Sequence, residues 1–364
     1  MSSVICENIK VSVFGESHGE AIGCVIDGLP CGITLDMDEI YKDMARRAPG
    51  KDKTATPRLE KDIPEILSGV FNGVTTGAPL AMLIHNTNTK SADYNNLTTL
   101  VRPSHSDYPA YVKYKGFNDV RGGGHFSGRL TAPIVFAGAV AKQILKQKSI
   151  TVGAHISRIG AVCDKCFDLN HIDAKLLDRL SSSSFSVIDE TAEDKMRSEV
   201  ERFRMAQDSV GGEIECAAVG LPVGIGGNMF DTVEGRLSKI LFGVPAVKGV
   251  QFGIGFDFAK ANGSQVNDEY TVKDGQIALL SNHNGGVIGG MTNGAPVVLS
   301  VAIKPTPSIS QAQRSVNIQT MQEETLVIKG RHDPCIVPRA VPVIEAAVAI
   351  GLLDILLESR NLFE

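Results

Sequence analysis

No N-terminal apolar run follows a basic start in this 364-residue chain, so nothing in it reads as a signal peptide. Long hydrophobic runs are missing too. The most apolar stretch, VPVIEAAVAIGLLDILLE at 341–358, is broken by Glu345, Gly351 and Asp354. It predicts a helix buried in a core or a subunit interface, not a membrane span. Positive charge is not in excess either. A formal net charge of −5 argues against nucleic acid or an anionic membrane as the main partner. Cysteine pairing is equally poor: seven residues at irregular spacing fit a reducing cytoplasm rather than a disulfide framework. Only Cys163 and Cys166 form a C-x-x-C, and without a second pair they read as a surface turn, so no metal is expected. The Walker A pattern, internal repeats, long linkers and regular βαβ alternation are all absent.

Glycine, by contrast, is plentiful. Thirty-seven residues stand against a usual share of roughly 7%, many clustered, as at Gly122-Gly123-Gly124, Gly285-Gly286 and Gly289-Gly290. Such clusters serve close backbone approach to a ligand or tight turns. Short β-branched runs bounded by glycine predict strands at 21–28, 213–220 and 297–304. Helical patterns occupy 36–47, 129–148, 189–206 and the C-terminus from about 339. In the third, Met196, Val200 and Phe203 have helical spacing. The pattern is α+β without a doubly wound sheet. The glycine motifs spread from residue 15 to residue 331, which favours one integrated domain over 1–364, with 163–190 as a candidate peripheral insertion.

FGESHGEA, at 14–21, contains Gly15-Glu16-Ser17-His18-Gly19, which fits the G-x-S-x-G of a hydrolase nucleophile elbow. An elbow must turn from strand into helix. Here a β-like run follows, so the reading is strand, turn, strand, and the elbow fails. His18 is left in a turn, either as a structural histidine or as a group that moves protons near neutrality.

Basic residues fall among Gly, Pro, Ser and Thr: Arg46, Arg47, Lys51, Lys53 and Arg58; Arg102 with His105; Arg121, His125, Ser127 and Arg129; Lys304, Thr306 and Ser308; Arg331, His332 and Asp333. Loop-borne arginines in a net-acidic protein point to a small polyanionic ligand, because the guanidinium fork binds carboxylate and phosphate oxygens bidentately. RGGGHFSGR, ahead of the 129–148 helix, is either an anion-binding helix start or a plain glycine turn. KPTPS is either a phosphate-holding loop or an ordinary one.

Ten segments in register resemble the chorismate synthase family: GESHG (15–19), RRAPG (46–50), ILSGVFNGVTTGAPLAMLIHNTN (66–88), RPSHSDY (102–108), RGGGHFSGR (121–129), DSVGGEIE (208–215), AVKGVQFGIGF (246–256), GGVIGGMTNG (285–294), IKPTPSI (303–309) and GRHDPC (330–335). Only 150–205 is poorly covered. The resemblance implies an α+β sandwich, with central helices between two antiparallel β-sheets, assembled as a homotetramer. It implies a lyase of the shikimate pathway that converts 5-enolpyruvylshikimate-3-phosphate to chorismate by 1,4-anti elimination of phosphate. Reduced FMN is the implied cofactor, with NADPH or an external flavin reductase as candidate sources of electrons.

By motif, His18 corresponds to the histidine at the flavin and His105 to the one at the substrate phosphate. Asp333 handles protons, with Ser17 and Ser127 as relay hydroxyls. Arg47, Lys53, Arg102, Arg129 and Arg331 hold substrate anions. His125, Phe126, Ser127, Ala246, Gly289, Lys304, Pro305, Thr306, Pro307, Ser308 and Arg331 surround the flavin. Three departures stand out. His125-Phe126-Ser127-Gly128-Arg129 replaces a frequent Arg-Ser-Ser-Ala-Arg, Ala48 stands where a third consecutive arginine is common, and Lys53 keeps the charge of a frequent arginine but loses its fork. A pure anion-binding module is the main rival, and it has no use for an acidic Asp333 beside Arg331. A flavin-dependent reductase is the second, and would consume NADPH in proportion to product.

Overall fold

Alternating side chains build the first sheet. The computed structural model of the chain describes residues 3–49, 62–87, 99–328 and 333–359. The strands of its first sheet are β1 (Val4–Ile5), β2 (Lys10–Gly15), β3 (Ala21–Asp27), β4 (Glu65–Ser68) and β5 (Leu80–His85). They lie in the order β1-β2-β3-β5-β4, every pair antiparallel. Ile22, Cys24 and Ile26 pair in register with Ile84, Met82 and Leu80, and all six side chains are buried. Period-two alternation sends this row to one face, towards the interior.

The second sheet comprises β6 (Thr151–Ile159), β7 (Val162–Cys163), β8 (Gly212–Val219), β9 (Val247–Phe252) and β10 (Val297–Ile303). Its order is β9-β10-β8-β6-β7, again antiparallel throughout. β6, β8 and β10 are buried almost without alternation, which requires cover on both faces. One cover is the helical layer. Residues 163–190 form the other: Phe167, Ile172, Leu177 and Leu180, the last two from α4 (Ala174–Ser182), pack with Ala217 and Val298 in a small core of their own.

Between the sheets lie α1 (Met37–Arg47), α3 (Thr131–Lys146) and the C-terminal helix Val337–Glu358. α1 starts where the Asp36 carboxylate accepts hydrogen bonds from the backbone N–H groups of Asp38 and Glu39. α3 and the C-terminal helix cross closely because Gly138 has no side chain; a methyl there would lie 2.2 Å from the Ala346 Cβ. The arrangement is the expected α+β sandwich of central helices between two antiparallel sheets. The C-terminal helix is long and apolar enough to cross a bilayer, but 83% of its most apolar window is buried inside the protein. Its ionisable residues are paired: Glu345 with Arg46, and Asp354 with Arg236 at 2.7 Å and with the backbone N–H of Asn8 at 2.6 Å. It begins at Val337, two residues before the expected start.

β2, the turn at 16–20 and β3 form a hairpin, so Ser17 does sit in a strand–turn–strand unit. Among the described residues, three helices of eight or nine residues had no clear sequence signal: α2 (Asp107–Tyr114), α4 and α6 (Val233–Leu241). The single turn Gly263–Val266 had none either; all four are too short for a periodic pattern to stand out.

Candidate active site

The turn after β2 and the glycine-rich segment after α2 meet. Gly122, Gly123 and Gly124 all have positive φ (59°, 85° and 54°), a succession open to glycine but costly for other residues. The Ser17 N–H donates to the Gly124 carbonyl at 3.1 Å. A methyl on Gly122 would lie 2.1 Å from His18 Nδ1 and 2.9 Å from Ser17 Oγ; one on Gly123 would lie 3.4 Å from His105 Nε2. Two imidazoles and a hydroxyl from separate loops therefore close on one backbone turn, and any side chain at Gly122 would displace His18. Ser17 and His18 are buried, while His105 and Ser127 are half-buried.

Asp107, at the start of α2, orients the histidine loop. Its carboxylate accepts from Arg102 Nε at 2.7 Å and Nη2 at 2.8 Å, and contacts His105 Nδ1 at 2.6 Å. A carboxylate only accepts, so His105 Nδ1 carries a proton, and Nε2 is the nitrogen turned towards Gly123. Burial would raise the Asp107 pKa, but hydrogen bonds from Arg102 and His105 outweigh it and hold the group well below the usual carboxylate range.

The arginine pair forms the next layer. Arg47, in the last turn of α1, donates from Nε to Thr131 Oγ1 at 3.1 Å, from Nη2 to the Gly128 carbonyl at 2.9 Å and from Nη1 to Asp62 Oδ2 at 2.6 Å. Arg129 bonds the other Asp62 oxygen and reaches Asn86 Oδ1 at 3.1 Å. Asn86 in turn donates to the carbonyls of Glu16 and Gly19, which links the arginines to the His18 turn. Burial, then repulsion from Arg339 and Arg129 set against attraction to Asp62, pushes Arg47 down to about 10, still cationic at neutral pH. Asp62 is buried, which disfavours its charge, yet Arg47 and Arg129 keep its pKa below the ordinary value.

Asp333 pairs with Arg339, whose Nε donates to the Arg47 carbonyl at 3.1 Å. The loop after β10 joins from the other sheet. Lys304 Nζ donates to the Ser104 carbonyl at 2.5 Å, beside His105, and its backbone N–H donates to the Ala246 carbonyl at 2.9 Å. Ala246 has φ 74°, uncommon for a residue with a side chain. Burial and the nearby Lys248 lower the Lys304 pKa. Ser209 holds the Thr306 carbonyl at 2.7 Å, Ser308 is buried, and Thr306 Oγ1 is buried with no hydrogen-bond partner among the described residues. Pro305 and Pro307 fill the rest of this loop.

Not every candidate joins the cluster. His125 Nδ1 donates to the Gly15 carbonyl and Nε2 accepts from Ser3 Oγ, both at 2.8 Å, so its ring braces the N-terminal strands. Phe126 is partly exposed and meets Tyr114 edge-on, with centroids 6.1 Å apart. Gly289 is exposed at a hairpin tip whose Gly290 carbonyl accepts from the Val233 N–H of α6. Arg46 turns away from Arg47 towards Glu345. Lys53 and Arg331 lie outside the described residues. Sequence reasoning passed over Asp62, Asn86 and Asp107. Asp62 sits in a charged stretch, RLEKDIPE, that has no periodic signal, whereas Asn86 and Asp107 lie inside the quoted motifs and could have been drawn from them.

The chorismate synthase family model matches residues 9–357. A chorismate synthase of Thermococcus kodakarensis is 47% identical over 352 residues, covering 97% of each chain. One of Dehalococcoides mccartyi is 43% identical over 359 residues, covering 99% of this chain and 98% of its own. A solved chorismate synthase structure superposes with a TM-score of 0.76 at 29% identity, covering 97% of this chain and 93% of that one. With one family model spanning almost all of it and relatives this similar from end to end, the chain belongs to the chorismate synthase family.

Proposed function

We propose that the protein converts 5-enolpyruvylshikimate-3-phosphate to chorismate and phosphate, with reduced FMN as cofactor. The observation that carries this reading is the meeting of Ser17, His18 and His105 on the Gly122–Gly124 turn, with the Arg47–Arg129 pair tied to it through Asn86. The substrate bears a phosphate and two carboxylates, so it needs several fixed cations in one pocket. The cofactor phosphate calls for a further anion site. The loop after β10 fits it, because Lys304 supplies charge and the buried Thr306 hydroxyl lacks a partner among the described residues.

In this reading Arg47, Arg102 and Arg129, with Lys53 and Arg331, bind and orient the substrate anions. His105, with a proton on each ring nitrogen, donates from Nε2 to an oxygen of the departing phosphate, and Asp107 holds the ring in that orientation. Asp333 takes up the proton lost from the ring carbon, with Ser17 and Ser127 as relay hydroxyls. His18 stands at the cofactor and maintains its reactive protonation state. Ala246 and residues 304–308 line the cofactor, joined by His125–Ser127 through their backbone. Reduced FMN, when bound, supplies electron density that lets phosphate leave, and the reaction has no net redox change. The chain acts as one domain, with 163–190 as an addition to it, in a homotetramer.

An anaerobic mixture of protein, dithionite-reduced FMN and the enolpyruvyl substrate tests this. Phosphate and chorismate absorbance should rise together in equal amounts, with reductant needed only in catalytic quantity. Reductant consumed in proportion to product would instead indicate a reductase. Replacing dithionite by NADPH then asks whether the chain reduces its own flavin.

A further inference from the structure

Asp62 is placed as a ligand would be. Each carboxylate oxygen meets a different guanidinium: Oδ2 accepts from Arg47 Nη1 at 2.6 Å and Oδ1 from Arg129 Nη1. Its side chain is 1% exposed, and those of Arg47 and Arg129 are 4% and 5% exposed. We propose that Asp62 is a built-in stand-in for the ligand anion, occupying the place between Arg47 and Arg129 that a carboxylate or phosphate takes, and that it must leave when that anion binds. This rests on the reading of the two arginines as anion-binding groups.

Two buried guanidinium groups without a counterion would be costly, so an empty anion site of this kind needs an internal carboxylate. The mounting of Asp62 suits a group that comes and goes. It lies three residues before β4, an edge strand that among the described residues pairs only with β5 and has a register shift between Ile66 and Ser68. Among the described residues its hydrogen bonds come from the two arginines alone. Glu345, the comparable buried carboxylate, is fastened differently: it sits mid-helix and also accepts from the Ala154 backbone N–H, Lys142 and Ser181. Asp62 is thus a positioning and specificity residue. Only an anion able to offer oxygens to both guanidinium groups replaces it.

Removing a competitor raises apparent affinity by the reciprocal of the fraction of protein in which the site is open. The test is calorimetric titration of the full chain with inorganic phosphate and, separately, acetate. Asp62→Asn should bind at least one probe about tenfold more tightly than wild type, as expected if the site is open roughly a tenth of the time. Asp62→Glu should show no such gain. The probe with the larger gain identifies whether phosphate or carboxylate takes the place. Unchanged or weaker binding of both probes by folded Asp62→Asn overturns the proposal. If that variant does not fold, crystals of the wild-type protein at saturating phosphate and acetate decide. Asp62 withdrawn from at least one guanidinium supports the proposal; Asp62 still bridging both overturns it. Neither readout depends on turnover, so chorismate formation can succeed while this idea fails, and the reverse.

Discussion

Arg46 and Arg47 are neighbours at the end of α1, yet they serve two different ionic centres. Arg46 forms a two-pronged pair with Glu345 at 2.6 and 2.8 Å. Glu345 also receives Lys142 at 3.3 Å, which in turn meets Asp43 at 2.5 Å. Arg47 joins Arg129 around Asp62. Successive helical residues point about 100° apart, so one helix end can feed both centres. The first links α1, α3, β6 and the C-terminal helix. The second links the end of α1 to the loops that carry the chemistry. Two buried clusters of similar composition therefore differ in purpose because one carboxylate is held by the core and the other by a loop at a sheet edge.

The largest effect should come from breaking the core centre. Glu345→Ala leaves Arg46 and Lys142 buried without their shared partner, and should destabilise the fold by about 3–5 kcal/mol, read from denaturant unfolding. A loss below about 1 kcal/mol, the scale of an exposed pair, would erase the contrast between the two centres. The converse test lies at the chemical end. His18→Ala should lower kcat by about 10²–10⁴-fold, the usual contribution of a positioned acid–base group, with substrate binding largely kept. Parallel loss of binding and rate would favour a plain anion-binding site.

Gly122→Ala sharpens the comparison at the backbone. Its methyl would lie 2.1 Å from His18 Nδ1 at φ 59°. Strain of about 1–3 kcal/mol is expected, together with a fall in kcat larger than that seen for Gly128→Ala, where the added methyl meets nothing within 4 Å. Equal effects at the two glycines would mean that the Gly122 contact with His18 is without consequence.

The smallest effect concerns pH. Arg47 and Arg129 depress the Asp62 pKa below its ordinary 3.8. A depressed carboxylate contributes stability that is present above its unfolded pKa and lost as pH falls through the folded value. The stability difference between wild type and Asp62→Asn should be flat from pH 7 to about 5 and shrink below about 4. A difference that grew on acidification would show that the arginines do not stabilise the charged form.

Much of this was legible beforehand. α1, α3, α5 (Glu190–Met205) and the C-terminal helix fall where apolar periodicity put them, and β3, β8 and β10 coincide with the β-branched runs. The strand following Gly19 was enough to reject a nucleophile elbow at Ser17. Asp62 left no such trace. A carboxylate among charges looks the same whether it faces water or two arginines, and only burial tells them apart. His125 shows the opposite failure. It sits inside a motif, yet its ring holds Gly15 and Ser3, a bond across 110 residues that local pattern does not encode.

The sequence alone determined the longer helices, three of the sheet strands, the α+β class and the set of loops rich in cations and glycine, because periodicity and backbone freedom are local properties. Tertiary structure decided which cation meets which carboxylate: Arg46 with Glu345, Arg47 with Asp62, Lys304 beside the His105 loop. Charges interact through space with the nearest partner in a dry interior, and that partner is chosen by the packing of helices and sheets, not by neighbours along the chain.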